Sequence, residues 1–288
     1  MNTHDRTVGT PPVARVATAR GEVGVLDIGS GPAVLLLHAL ALSAELWRPL
    51  ATRAAQETGL RFLALDAPGH GVSPWDGRPF TVEDMAEDAL SVLDALGIQR
   101  AGLAGLSMGG TTATALAGAH PTRIAALALL DTTACYGHTR VSDWEQRATR
   151  AVELDRAEQL PFQVDRWFSA RTLEERPEEV RRVSSIFLRT PSPAHAAACR
   201  ALGAADTRHL LPAITAPTTI IVGSEDYATP PAMAEELHVG ISGSRLHVLD
   251  GARHLSVVDD PRCWPLAVEH LRASLEKGAS NDEGSGGT

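Results

Sequence analysis

The chain contains 288 residues, of which 44% are hydrophobic, and its 26 basic and 35 acidic side chains give a formal net charge of −9. A chain of this length and composition can bury a large core and is expected to form one domain, with room for an insertion. An acidic balance without a basic stripe argues against nucleic acid as a partner, because phosphate binding needs clustered arginine and lysine.

Local composition argues against two further classes. No apolar run reaches the ~20 residues needed to cross a bilayer, and the first residues lack the basic-then-apolar pattern of a signal peptide. We therefore expect a soluble, cytoplasmic protein without a membrane partner. The cysteines Cys135, Cys199 and Cys263 are widely spaced and outside any C-x-x-C pattern, so we expect reduced thiols and neither disulfides nor a metal site.

The first third of the chain alternates between strand and helix patterns. The predicted strands cover residues 13–19, 22–29, 33–40 and 61–66. The third of them is a continuous apolar run, which is typical of a strand buried on both faces. A helix is predicted over 81–97, with Thr81 as its N-cap, Asp84 three residues on and Gly97 as its stop.

The alternation continues, is interrupted once, and resumes. Strands are predicted at 100–105, 123–131, 218–223 and 245–250, and helices at 109–121, 231–237 and 265–275. Between about Asp131 and Pro212 only helical patterns occur, over residues 143–160, 161–168, 177–188 and 192–202. The pattern predicts an α/β fold with a mostly parallel central sheet, helices on both faces and a helical insertion over the sheet.

The domain boundaries follow from this pattern. We expect an N-terminal tail at 1–12, a core formed by 13–131 and 212–276, and a helical cap at 132–211. The low-complexity residues 277–288 are expected to be a disordered tail.

A serine stands at the junction of a predicted strand and a predicted helix, in the sequence Gly105-Leu106-Ser107-Met108-Gly109. This G-x-S-x-G pattern is typical of a sharp turn that strains the central residue and requires small neighbours. Such a turn presents Ser107 at the carboxyl edge of the sheet, where open α/β sheets form their crevices. An incidental serine in a glycine-rich turn is the alternative.

A serine hydroxyl needs a base to accept its proton, and that base needs an acid to orient it. The expected chain order is serine, acid, histidine. Asp226 follows one predicted strand and His254 follows the next, so both are expected at the same sheet edge as Ser107. Glu225 is the alternative acid.

Acyl transfer also requires hydrogen-bond donors for the developing oxyanion. The backbone amides of Met108 and of Leu40, in the loop after the third strand, have the expected positions. His38 and His70 are interpreted as structural residues, and Asp66 is expected to bond nearby backbone.

Several segments in this order resemble the α/β-hydrolase superfamily: "HALALSAELW", "DAPGHGVS", "GLSMGG", "GSEDYATPP" and "GARHLS". The insertion, with "LLDTTACYG", Trp144, "DRWF" and "AAACRAL" followed by Asp206, is similar to the 3-oxoadipate enol-lactonase branch. The resemblance implies hydrolysis of an enol-lactone of aromatic catabolism, without a cofactor. It assigns Ser107, Asp226 and His254 as the catalytic triad.

The chain also departs from that branch. Cys135 stands where the branch often carries a basic residue, and Ala194 and His195 replace Gly-Tyr. Ala39 replaces the glycine that usually follows His38 in the wider superfamily. Because of these departures, the sequence does not identify which lactone would be the substrate. The candidate substrate-binding residues are Trp47, Cys135, Arg166 and Trp167, with Arg166 as the candidate for an anion.

The sequence thus predicts a hydrolase that cleaves a small-molecule carboxylic ester or lactone through an acyl-enzyme, with 3-oxoadipate enol-lactone as the leading candidate. A cofactor-free perhydrolase or haloperoxidase-like enzyme and a C–C bond hydrolase are alternatives on the same fold. A third is a non-catalytic ligand-binding protein. The sequence gives no indication of the oligomeric state.

Overall fold

The computed structural model describes residues 11–284, and within them one sheet of eight strands forms the centre of the molecule. The strands are β1 (Ala14–Thr18), β2 (Gly21–Ile28), β3 (Ala33–Leu37), β4 (Arg61–Leu65), β5 (Ala101–Leu106), β6 (Ile124–Leu130), β7 (Thr218–Gly223) and β8 (Arg245–Leu249). They are ordered β1-β2-β4-β3-β5-β6-β7-β8. The predicted strands are confirmed, with ends that differ by at most a few residues.

The sheet is mostly parallel, as predicted. Strand β2 pairs antiparallel with β1 and β4, and the pairings from β4 through β8 are all parallel. Every residue of β3, β5, β6 and β7 is buried, because helices cover both faces. The carboxyl ends of β3 to β8 therefore meet at one edge, and the loops that follow them share that edge.

Six helices belong to this core. They are α1 (Arg48–Thr58), α2 (Val82–Ala95), α3 (Met108–Ala119), α9 (Pro231–Gly240), α10 (Ser256–Asp259) and α11 (Cys263–Gly284). Helix α2 begins at the predicted capping box of Thr81 and Asp84, and Gly97 just beyond it has φ +68°. Helices α1 and α10 were not predicted.

Five helices form the insertion between β6 and β7, hereafter the cap: α4 (Arg140–Glu153), α5 (Arg156–Trp167), α6 (Ala170–Glu175), α7 (Pro177–Arg189) and α8 (Ser192–Ala204). Helix α4 packs against α8, and α5 packs against α7. The predicted helix over 143–160 is wrong, because Leu154 is extended and Asp155 starts α5 with a capping box to Glu158.

The cap is attached to the loops at the carboxyl edge of the sheet. The backbone amides of His254 and Leu255 donate to the carbonyls of Arg166 and Trp167 at 3.3 and 3.2 Å. On the other side, the Thr190 hydroxyl donates to the carbonyl of Ala41 at 2.9 Å. The cap therefore lies over the edge at which Ser107 stands.

The C-terminal boundary differs from the prediction. Helix α11 continues to Gly284, so the predicted disordered tail is wrong for residues 277–284. Within this helix Arg272 pairs with Glu276 one turn on. Residues 285–288 and most of the predicted N-terminal tail lie outside the described residues.

In the part of the chain that the structure describes, no helix has the length and apolar character to span a bilayer. The cytoplasmic location stays a prediction.

Candidate active site

Ser107 occupies a strained turn between β5 and α3. Its φ of +53° and ψ of −116° lie in a region that non-glycine residues rarely adopt. A Cβ atom at Gly105 would lie 2.2 Å from the carbonyl oxygen of Gly109, and one at Gly109 would lie 2.2 Å from that of Leu37. The two glycines of the G-x-S-x-G pattern therefore allow α3 to approach the sheet closely enough to form the turn.

A chain of hydrogen bonds joins three loops at this edge. The Ser107 hydroxyl lies 2.9 Å from Nε2 of His254, and Nδ1 of His254 lies 2.8 Å from Oδ2 of Asp226. Since a carboxylate only accepts, Nδ1 carries the proton of the neutral ring and Nε2 accepts from the serine. All three side chains are at least 90% buried. The structure thus brings together the three residues that chain order predicted.

Asp226 is held on both carboxylate oxygens. Its Oδ1 accepts from the amides of Ala228 and Thr229 at 2.8 and 2.9 Å, and its Oδ2 also accepts from the Thr229 hydroxyl at 2.8 Å. Burial raises the pKa of Asp226, but attraction to His254 and these hydrogen bonds outweigh burial and leave the pKa below its usual range. Asp226 is therefore the ionised partner of His254.

The alternative acid, Glu225, does not reach the histidine. Its carboxylate is about half exposed and lies 3.6 Å from Arg253.

A second buried carboxyl, Asp131, lies at the end of β6 with φ +44°. It accepts from the amide of Gly223 at 3.2 Å and from that of Ser256 at 2.8 Å. Burial, followed by repulsion from Asp226, raises its pKa well above the usual range. Asp131 thus ties the loop of Asp226 to the loop of His254. Sequence reasoning did not find this role, because no local pattern relates its neighbours to it.

The loop after β3 lies against the serine turn. The Gly109 amide donates to the carbonyl of His38 at 3.1 Å, and Leu40 lines the same cavity as Ser107 and His254. Met108 directly follows the serine as the first residue of α3. The backbone amides of Leu40 and Met108 are therefore both candidates for the oxyanion donors.

His38 and His70 are structural residues, as predicted. The Ala67 amide donates to Nε2 of His38 at 3.0 Å, and Nδ1 of His38 donates to the carbonyl of Ala39 at 2.8 Å. The ring of His70 lies 5.3 Å away and bonds the carbonyl of Pro68. Burial lowers the pKa of His38 to about 3 and that of His70 to about 4.

Asp66 bonds backbone close by, also as predicted. Its carboxylate accepts from the amides of Ala44 and Val72 at 2.7 and 2.8 Å, and burial raises its pKa to about 6.

A cavity of about 290 Å³, hereafter the catalytic cavity, lies between Ser107 and the cap. The predicted residues Leu40, Arg166 and Trp167 line it. Its lining also includes cap residues that were not among the predicted substrate-binding residues: Tyr136, Arg140, Asp143, Trp144, Arg147 and Gln163. Burial raises the pKa of the Tyr136 phenol in this lining.

Two of the predicted substrate-binding residues lie elsewhere. Trp47 is fully buried and packs in the core, with its ring 5.3 Å from that of Trp264. The chain turns away from the cavity there through a short 3-10 helix at Ala44–Leu46. Cys135 is also buried outside the cavity lining, because its backbone pairs with Asp206 in an extended segment. Neighbours in such a segment point to opposite sides, so Tyr136 faces the cavity instead.

Arginines give the catalytic cavity a positive wall. Arg166 donates to the carbonyl of Tyr227 at 2.8 Å, and Arg147 lies over the ring of Trp144 and donates to Gln163 at 3.3 Å. Neither has a carboxylate within 4.0 Å among residues 11–277. Burial and then the charge of Arg147 lower the pKa of Arg166, which is consistent with two neighbouring cations.

A signal for this wall was present in the sequence. Arg140, Trp144 and Arg147 recur at spacings of four and three residues, which place them on one face of α4. The same residues on another face of the helix would point to solvent, so the spacing alone does not assign them to a cavity.

The described residues contain no group of three or more histidine, cysteine or acidic side chains that could hold a metal ion. The three cysteines are unpaired and buried.

The sheet order, the serine turn and the hydrogen-bonded chain define a class of protein. The profile of the family described as alpha/beta hydrolase fold matches residues 32–261, and the chain belongs to this family and is a hydrolase. It is 30% identical to 3-oxoadipate enol-lactonase 2 of Acinetobacter baylyi, over 83% of this chain and 87% of that protein. It is 35% identical to a putative non-heme haloperoxidase of Mycobacterium phage D29, over 88% of this chain and 89% of that protein.

A solved structure gives the same likeness. The enol-lactonase from Burkholderia xenovorans LB400 superposes with a TM-score of 0.82 at 31% identity, over 91% of this chain and all of that one. The predicted resemblance to the enol-lactonase branch is therefore confirmed.

Proposed function

We propose that the protein is a serine hydrolase that cleaves a carboxylic ester or lactone through an acyl-enzyme. The observation that carries this proposal is the hydrogen-bonded chain from Ser107 through His254 to Asp226, with heavy-atom distances of 2.9 and 2.8 Å. These distances fall within the range that a general base requires of its nucleophile. A protein that only bound its ligand would have no need of this chain.

In the proposed mechanism, Nε2 of His254 takes the proton of Ser107 as the hydroxyl oxygen attacks the carbonyl carbon. Asp226 stabilises the imidazolium that forms. The amides of Leu40 and Met108 donate to the oxyanion of the tetrahedral intermediate. His254 then gives its proton to the leaving alkoxide or enolate, and afterwards activates the water that cleaves the acyl-enzyme.

The proposed substrate carries a carboxylate. Arg147 and Arg166 line the catalytic cavity without a carboxylate partner among the described residues, and a buried substrate anion needs such cations. Together with the similarity to enol-lactonases, this makes 3-oxoadipate enol-lactone the leading candidate. Cys135, which replaces a basic residue of that branch, leaves the role of anion anchor to these cap arginines.

The nucleophile is tested by labelling. A fluorophosphonate should modify Ser107 alone, as located by peptide mass spectrometry, and labelling should largely disappear in His254→Ala. Efficient labelling of Ser107→Ala would contradict the assignment. The same variant should lose activity on esters, small lactones and carboxylated enol-lactones, whereas unchanged turnover would show that the catalyst lies elsewhere.

The carboxylate is tested by comparing the enol-lactone with an uncharged lactone of similar size. We expect a higher kcat/KM for the charged lactone, and an increase in its KM of about tenfold in Arg166→Gln and in Arg147→Gln. Arg100, which is exposed at the opposite edge of the sheet, provides the control variant Arg100→Gln. An equal or higher kcat/KM for the uncharged lactone would exclude carboxylate recognition.

A second candidate is a cofactor-free haloperoxidase or perhydrolase, which the 35% identical phage relative favours. In that reaction hydrogen peroxide replaces water in cleaving the acyl-enzyme, and a peracid leaves. Peracid formation from acetate and peroxide, measured beside ester hydrolysis, separates the two. The C–C bond hydrolase and the non-catalytic alternatives stay predictions that the substrate panel distinguishes.

A further inference from the structure

A second cavity lies in the cap, between α4 and α5, with a volume of about 660 Å³. We call it the outer cavity. Its polar lining includes Arg147, Arg150, Gln159, Gln163, Arg166 and His195. Because α4 packs against α8 and α5 against α7, the space between α4 and α5 is left open.

The outer cavity adjoins the catalytic cavity. Asp143, Arg147, Gln163 and Arg166 line both of them. The hydrogen bond of 3.3 Å from Arg147 to Gln163 connects α4 to α5 at this boundary. The two cavities are therefore separated by side chains, and a flexible chain bound at Ser107 can extend between them when these side chains change rotamer.

The outer cavity is rich in cations that lack acidic partners. Sixteen of the arginines that the structure describes form ion pairs within 4.0 Å, but Arg147, Arg150 and Arg166 form none with any described residue. This cluster stands out in a chain with a net charge of −9.

The two acids that line the outer cavity are engaged within their own helices. Asp143 accepts from the Thr139 hydroxyl at 2.7 Å, and Glu158 accepts from the amide of Asp155 at 3.0 Å. Both therefore stabilise the first turn of a helix, which leaves the three guanidinium groups available to an incoming anion.

His195 adds a buried donor. Nη1 of Arg156 lies 2.5 Å from Nδ1 of His195, and because a guanidinium only donates, Nδ1 accepts and Nε2 carries the proton. Nε2 has no hydrogen-bond partner within the described part of the chain, although the residue is only 1% exposed. Nε2 is itself buried, so only a change of rotamer would bring this unsatisfied donor to the outer cavity.

We propose that the outer cavity is a distal subsite for the terminal carboxylate of an elongated acyl chain. This identification of the substrate rests on the proposed function, whereas the anion site itself rests on Arg147, Arg150 and Arg166. The substrates that use this subsite are esters or lactones whose acyl part ends in a carboxylate beyond the reach of the catalytic cavity. A short carboxylated acyl chain uses the catalytic cavity alone.

The test compares mono-p-nitrophenyl esters of adipic and sebacic acid, each beside the ester whose far carboxylate is methylated. Each charged ester should have a higher kcat/KM than its methylated counterpart, because Arg147 and Arg166 line both cavities. Only the sebacic pair should depend on Arg150, which lines the outer cavity alone. Arg150→Gln should lower kcat/KM for the sebacic monoester about fivefold and leave p-nitrophenyl acetate and the adipic monoester unchanged. Arg100→Gln should change none of them.

A sebacic monoester that is hydrolysed no better than its methylated counterpart, or an equal effect of Arg150→Gln on both monoesters, would overturn the subsite. Calorimetric binding of free sebacate and free adipate to Ser107→Ala, with and without Arg150→Gln, separates this outcome from failure of the proposed function. If no ester is hydrolysed but sebacate binds and loses affinity on Arg150→Gln, the subsite stands and the proposed function falls. If Arg150→Gln leaves sebacate affinity unchanged, the subsite is excluded.

Discussion

Charged side chains have partners within the protein at the carboxyl edge of the sheet, whereas some of those in the cap have none among the described residues. At the sheet edge, both oxygens of Asp226 and both oxygens of Asp131 accept hydrogen bonds from groups fixed by the fold. In the cap, Arg147 and Arg166 face the cavities without an acidic partner among the described residues. The acids at the sheet edge therefore have hydrogen-bond partners without a substrate. The cap arginines, in contrast, keep a positive charge that a substrate anion can neutralise.

The difference has a physical cause. A fully buried carboxylate without partners is strongly destabilising, so the edge must satisfy its acids within the protein. A half-buried guanidinium retains water when its cavity is empty, so the cap tolerates unpaired arginines until an anion displaces that water. Variants at the edge should therefore alter turnover or stability, whereas variants in the cap should alter recognition.

The largest expected effect is that of Asp226→Asn. The amide cannot hold His254 in the tautomer that leaves Nε2 free to accept, so kcat on p-nitrophenyl acetate should fall by about 10⁴. Glu225→Gln is the matched control and should have little effect, because Glu225 pairs with Arg253 at the surface. If the two variants exchanged these outcomes, the assignment of the acid would be wrong.

Asp131→Ala should lower both stability and turnover. It removes the acceptors of the Gly223 and Ser256 amides, and two unsatisfied buried donors cost about 3 kcal/mol of unfolding free energy. Because those amides belong to the loops of Asp226 and His254, kcat should also fall, by about 10². Urea denaturation and ester kinetics measure the two effects, with the exposed Asp250→Ala as control. A kcat in Asp131→Ala equal to that of the wild type would show that the positions of Asp226 and His254 do not depend on the hydrogen bonds of Asp131.

The pH dependence of stability should reflect the buried histidines of the edge. His38 and His70, with pKa values lowered to about 3 and about 4, stay neutral in the folded state while the unfolded chain takes up protons below about 6.5. The unfolding free energy should therefore fall as the pH is lowered from 7 to 5.5, by about 1 kcal/mol for each histidine. Asp66, with its pKa raised to about 6, opposes this loss because it takes up a proton in the folded state first.

This pH effect is measured by urea unfolding at both pH values. His70→Asn, which keeps a donor toward the carbonyl of Pro68, should reduce the pH-dependent loss by about 1 kcal/mol. The exposed His138→Asn should leave the loss as it is in the wild type. If the unfolding free energy of His70→Asn depended on pH as in the wild type, the His70 ring would not be held neutral in the folded state.

The smallest effects compare two tryptophans, one from each region. Trp47→Phe should lower the unfolding free energy by about 1 kcal/mol and leave KM unchanged, because its ring packs on Trp264 in the core. Trp167→Phe should change KM for the substrate by about threefold, because Trp167 lines the catalytic cavity. A change in KM for Trp47→Phe would contradict its placement outside the cavity.

Much of the carboxyl edge could be predicted because its signals are local. The glycines around Ser107 are required by contacts within one turn, and the strand patterns fix which loops share an edge. Asp226 and His254 follow from their positions after β7 and β8, although residue 107 is 147 positions away from the histidine. The hydrogen bonds of Asp131 could not be predicted, because the amides that donate them belong to two other loops.

The cap could be predicted only as a set of helices. Whether a cap residue faces Ser107 depends on how α4 packs on α8 and α5 on α7, and these contacts join residues far apart in sequence. Cys135 was therefore placed wrongly, and Arg147 and Tyr136 were missed. Trp47, which lies outside the cap, was placed wrongly because a short 3-10 helix turns the chain away from the cavity.

By itself the sequence determined the alternation of strands and helices, the strained serine and the order of the three residues that meet at it, because strand and turn preferences act over a few residues. Only the tertiary structure decided which side chains surround the serine and which arginines remain unpaired. The physical reason is that the direction of a cap side chain is set by packing between helices, where many neighbours of similar polarity compete for the same space.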